Sequence, residues 1–174
     1  MNHLFRTLLV AGLAAITVGA ASPPPIAPAT TLLPNEVAAV QRTVFVRMFT
    51  ESIREAEKSS TVLFLRLGCG DGQAPVKATD PTAPFLSELR EAGWNVRPAS
   101  AALHPHDKQP YKDRETNRDG LLFCVGTIET VGPSDLRVFG ESYRDGKSAE
   151  GTIYGVARVG NNWQVVSRRS RWKA

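Results

Sequence analysis

Apolar positions change their rhythm along this chain, and the changes mark its elements. Val37, Val40, Val44 and Met48 recur at helical spacing, with Phe45 and Phe49 beside them. The spacing predicts one long amphipathic helix from Glu36 to Lys58, capped by Asn35 and polar at its far end through Glu51, Arg54, Glu55, Glu57 and Lys58. Thr61–Leu67 is a short apolar run rich in β-branched and aromatic residues and stopped by Gly68, which predicts a strand. A loop follows to Thr79. Asp80-Pro81 reads as a cap with proline in the first turn, so Phe85, Leu86, Leu89 and Ala92 predict a second, short helix over Pro81–Ala92, ended by Gly93. Trp94–Ser100 is a strand around Val96, and His104–Gly120 is a polar loop without a hydrophobic period. From Leu121 the period becomes two. Strands are predicted at Leu121–Val131, Asp135–Arg144, Thr152–Val159 and Trp163–Trp172, with a hairpin at Asp145-Gly146 and a turn at Gly160-Asn161-Asn162. The expected fold is α+β: a long N-terminal helix and a short second helix packed on a curved antiparallel sheet that ends in a four-strand meander.

The N-terminus has a different logic. Arg6 precedes the uncharged, mostly apolar run Thr7–Val18, which ends in small residues at Gly19-Ala20-Ala21. The run is shorter than the roughly 20 residues that span a bilayer. The pattern is that of a cleavable export signal over residues 1–21. Ser22–Pro34 holds five of the 12 prolines and reads as an extended linker. Residues 35–174 then form a single domain. Its expected location is periplasmic or secreted, with no transmembrane segment in the mature chain.

Composition adds limits. Apolar residues make up 42% of the chain, so it is neither disordered nor membrane-embedded. With Arg6 removed, the 21 basic residues become 20 against 17 acidic, a balance that gives no reason to expect nucleic-acid binding. The charge is uneven, because no acid follows Glu150. Arg168, Arg169, Arg171 and Lys173 therefore make a basic tail able to meet an anionic partner, or simply a solvated strand end. The two cysteines, Cys69 and Cys124, are expected to pair in an oxidising compartment, the alternative being two buried free thiols on neighbouring strands. Closing that loop of about 56 residues would stabilise the fold by roughly 4 kcal/mol.

Candidate chemistry is sparse. His104, His106 and Asp107 could begin a metal site, with Asp113 or Glu115 as further donors. The acids and amides of 113–120 miss a calcium loop, because Gly126 stands where a bidentate acid is needed. Gly68–Gly72 lacks the ending of a phosphate loop, and Ser100 lies near the histidines without a nucleophile elbow. Glu129, Glu141 and Tyr143 are pocket candidates, although alternation sets Glu141 and Tyr143 on the face away from Leu136 and Val138, where exposure is expected. No cofactor motif is present.

The order of elements, carried by Asp80–Ser100 and Phe123–Trp172, resembles cystatin-like and nuclear-transport-factor-like α+β domains. Gly160–Val166 looks like the closing strand of small exported domains. The resemblance implies a helix laid across a curved sheet and transfers no catalytic residue. The leading expectation is an exported, non-catalytic binding domain of inhibitor, immunity or envelope-associated type, a monomer or small homo-oligomer with a protein or envelope component as partner. The alternatives are a small cone-pocket enzyme, hydrolase or isomerase, and a metal-binding protein using the His104/His106 loop.

Overall fold

The computed structural model describes residues 31–70, 77–103, 109–145 and 148–174. The expected signal, most of the linker, and the metal candidates His104, His106 and Asp107 lie outside them. Among the described residues, no helix is long and apolar enough to cross a membrane.

Helix α1 spans Pro34–Ser52, not Glu36–Lys58. Pro34 takes the first turn, and the Glu36 carboxylate accepts the Leu33 N–H at 3.0 Å, so Asn35 is not the cap. Val40, Val44, Phe45, Met48 and Phe49 are buried. Past Ile53 the chain offers only Ala56 as an apolar residue before Val62, so a longer helix would have no face to bury. The backbone turns extended at Ile53 and makes a single 3-10 turn over Glu55–Glu57.

Strand β1 (Val62–Leu67) is followed by α2 (Ala83–Glu91) and β2 (Val96–Pro98). Thr82 caps α2 in place of Asp80, whose carboxylate instead accepts the Ser100 N–H at 3.1 Å. Short strands β3 (Ala102–Leu103) and β4 (Tyr111–Asp113) break up the expected long loop. Then come β5 (Asp119–Thr130), β6 (Asp135–Asp145), β7 (Ser148–Val159) and β8 (Asn162–Lys173). The C-terminal meander is present, but the sheet is mixed, in the order β2-β1-β5-β6-β7-β8. β1 runs parallel to both β2 and β5. The strand–helix–strand unit accounts for the β1–β2 pairing, since a helical crossover returns the chain in its starting direction.

Side-chain alternation separates two faces. Leu63, Leu65, Phe123, Val125, Leu136, Val138, Tyr154 and Val156 meet the two helices in the main core. Phe49 anchors it, with ring centroids 5.0 Å from Trp94 and 5.1 Å from Phe123. On the other face, Val62, Phe64 and Leu122 are covered by Ala102 and Tyr111 of the β3–β4 hairpin. Cys69, Cys124 and Phe139 form a third buried group beside them. β1 is thus buried on both sides over Val62–Leu65, which explains the four consecutive apolar residues there.

Candidate functional site

The register lines up one row across five strands. Arg66 of β1 stands opposite Cys124 of β5, which faces Glu141 of β6, then Gly151 of β7 and Trp172 of β8. All belong to the face away from the helices. The Trp172 indole occupies the space above Gly151, where an added Cβ would fall 2.2 Å from Nε1, and its ring lies 6.3 Å from that of Tyr143.

Cys69 joins this row from the segment after β1. Gly68 has φ +84°, which turns the chain, and its N–H donates to the Val125 carbonyl at 2.9 Å. Gly126 lets Cys69 come close, because a Cβ there would lie 1.9 Å from the Cys69 carbonyl oxygen. The two sulfurs and a Glu141 carboxylate oxygen all fall within 4.8 Å of one another, and all three residues are buried. Both cysteines are free thiols in the structure, on β5 and on the segment leaving its neighbour β1.

Charge in this group is balanced by hydrogen bonds. The Tyr143 hydroxyl donates to Glu141 Oε2 at 3.0 Å, and Arg66 Nη2 lies 3.9 Å from the same oxygen. Burial pushes the Glu141 carboxyl above its ordinary range, against the opposing effects of Tyr143 and Arg66. Contact with Cys69 and a hydrogen bond from Arg66 hold the Cys124 thiol below its usual value, against burial. The same contact, with burial, pushes Cys69 upward. The contact thus makes Cys124 the more acidic thiol of the pair and Cys69 the less acidic one.

These positions correct the expectation that Glu141 and Tyr143 face solvent. They do lie on the face opposite the helices, but that face is covered in part, and Glu141 is only 8% exposed. Glu129 is elsewhere, half exposed and 3.6 Å from Arg137. Arg66 was not anticipated as a site residue, although an arginine inside the apolar run Val62–Leu67 was a legible signal.

A second polar feature opens at the C-terminal end of α1. A cavity of about 330 Å³ is lined by Glu51, Ser142, Arg144, Glu150 and Lys173 among others. Its acids Glu51 and Glu150 are already paired. Arg168 lies 3.2 Å from Glu51 and 2.8 Å from Glu150, and Lys173 lies 3.7 Å from Glu150. The Tyr154 hydroxyl donates to Glu51 at 3.3 Å, and burial followed by the Glu51 charge pushes it up to about 12.

No family model, curated protein or solved structure matches this chain.

The remaining candidates are dispersed. Asp113 is fully buried and lies 3.3 Å from Arg97, and its carboxylate accepts the Thr116 hydroxyl at 2.5 Å, so it serves the β4–β5 turn. Glu115 pairs with Arg97 at 2.6 Å. Within the basic tail, Arg168 and Lys173 are tied to Glu51 and Glu150. Arg169 and Arg171 are exposed and have no acid partner among the described residues.

Proposed function

We propose that this protein is an exported, non-catalytic binding domain whose β8 edge accepts an extended, acidic segment of a protein partner. The observation that carries this reading is the edge itself. Among the described residues, β8 is a 12-residue strand hydrogen-bonded to β7 on one side only. About half of its backbone N–H and C=O groups point away from the sheet in an antiparallel pairing. Such an edge is a template for another strand, and added strands gain most of their affinity from main-chain bonds. The opposite edge is blunt: β2 has three residues and ends at Pro98.

Side chains along β8 set the partner's chemistry. Arg169 and Arg171 offer unneutralised positive charge, while Val166 is 58% exposed beside them. A strand alternating acidic and β-branched residues complements both. The cystatin-like or nuclear-transport-factor-like likeness belongs to this reading and is supported by α1 packing on β5, β6 and β8. Against an enzymatic reading stands the cavity beside α1, whose acids are mutually engaged with Arg168, Lys173 and Tyr154.

The test is a titration of the protein with the acetylated, amidated peptide Glu-Val-Glu-Val-Glu-Val at low ionic strength. Saturable binding is expected, weakened about tenfold or more in the Arg169→Glu/Arg171→Glu variant and reduced by salt. Equal binding by the reversed variant, or none by the parent protein, contradicts the proposal.

A further inference from the structure

Cys69, Cys124 and Glu141 present two sulfurs and a carboxylate within 4.8 Å. Two chemistries suit such a trio: a thiophilic metal ion, or oxidation of the sulfur pair. Arg66 decides between them. It stands opposite Cys124 in the β1–β5 register, and its guanidinium lies 3.9 Å from Glu141, so a cation already stands beside both donors. A second cation placed among them would meet that charge in a buried setting, whereas loss of two protons and two electrons adds no charge at all.

We propose that Cys69 and Cys124 form an oxidative closure site, joined by exchange with a small-molecule disulfide, with Arg66 as the positioning residue that keeps Cys124 reactive. This inference is independent of the β8 reading. The structure supplies the pieces. Gly68 and Gly126 hold the Cys69 backbone against β5, so the sulfurs meet without a large chain movement. Cys69 retains 5% of its surface and Cys124 none, so the oxidant meets Cys69. Cys69 loses its proton to solvent and attacks the oxidant's S–S bond. One thiolate leaves, and a mixed disulfide remains on Cys69. Cys124, its proton lost to solvent and its thiolate held by Arg66, then attacks the Cys69 sulfur. The mixed disulfide breaks and a second thiolate leaves. The protein gives up two protons and two electrons, and the oxidant becomes two thiols. Glu141 then remains as the partner of Arg66, so the closed form buries no unpaired charge.

The experiment follows closure of the reduced protein in oxidised glutathione, by intact mass and free-thiol count, across pH. The parent protein is expected to lose two hydrogens and both thiols. Closure should quicken as pH rises, with a midpoint set by the ionisation of Cys69 and Cys124. Cys124→Ser should stall as a stable glutathione adduct on Cys69. Arg66→Met should slow closure at pH 7 by about fivefold and move the midpoint upward. A larger thiolate loss is partly offset by greater nucleophilicity. Arg66→Lys, which keeps the charge, should restore most of the rate and shows whether the Met variant fails for packing reasons. Two persistent free thiols would overturn the proposal. So would one-to-one binding of Zn²⁺ or Cd²⁺ with a thiolate absorption band lost in either serine variant. An unchanged pH profile in Arg66→Met would overturn the role of Arg66.

Discussion

Gly126 is where the account is most exposed to a single substitution. In Gly126→Ala the new Cβ would stand 1.9 Å from the Cys69 carbonyl oxygen and 2.8 Å from the carbonyl carbon. Both atoms are backbone, so no side-chain rotation relieves the contact. The segment after β1 has to move by about 1 Å or more to restore a normal separation. That breaks the 2.9 Å bond from Gly68 N–H to the Val125 carbonyl, worth about 1 kcal/mol. Lifting buried Cys69 off Phe139 and Cys124 adds the cost of overpacking, about 1–3 kcal/mol. Alanine recovers roughly 0.4–1 kcal/mol by restricting the unfolded chain. The net expectation is a loss of about 1–3.5 kcal/mol, measured by urea unfolding of the reduced protein. Each kcal/mol lowers Tm by roughly 3–4 °C in a domain of this size. Gly132→Ala is the control, because its nearest neighbour is the Asp135 side chain at 3.2 Å, which can turn aside. It should change stability by less than about 0.5 kcal/mol. If Gly126→Ala proves as mild as the control, Cys69 is not held against β5 as described, and the geometry of sulfur closure fails with it.

Asp113 has its carboxyl held low by the Thr116 hydroxyl and, after burial opposes it, by Arg97. A depressed folded-state value stabilises the fold above the unfolded value near 3.9 and loses that stability as pH falls through the folded value. Urea midpoints should therefore drop on the acid side, and Thr116→Val should make that drop smaller and complete at higher pH. Tyr143→Phe should raise the Glu141 titration seen by carboxyl-carbon NMR, since the Tyr143 bond opposes the upward push of burial. Arg168→Ala should cost up to about 1 kcal/mol by removing the charge that bridges Glu51 and Glu150, while Arg169→Ala should stay within about 0.5 kcal/mol in the same denaturation assay.

Legibility followed periodicity. The meander strands and the buried stripe of α1 could be read from spacing, because one face of each element is buried and the other is not. The end of α1 was misplaced because Arg54–Lys58 has high helix propensity but no apolar face to fix it there. β3 and β4 escaped notice because two- and three-residue strands show no period. The parallel pairing of β1 with β5 is a long-range choice that no local pattern encodes. For the sites, alternation set Glu141 and Tyr143 on their correct face, yet their burial depends on Cys69 and the β3–β4 hairpin folding over that face. The division of the basic tail into engaged Arg168 and Lys173 and unengaged Arg169 and Arg171 depends on acids as distant in sequence as Glu51.

The central claim is that β8 receives a partner strand, and amide hydrogen exchange reads that edge directly. With the Glu-Val-Glu-Val-Glu-Val peptide at saturation, amides within Val166–Lys173 should slow at alternate residues, the ones pointing away from β7, while those of β2 stay unchanged. Unchanged exchange along β8 in the presence of bound peptide, or protection confined to residues around the cavity beside α1, would contradict the account.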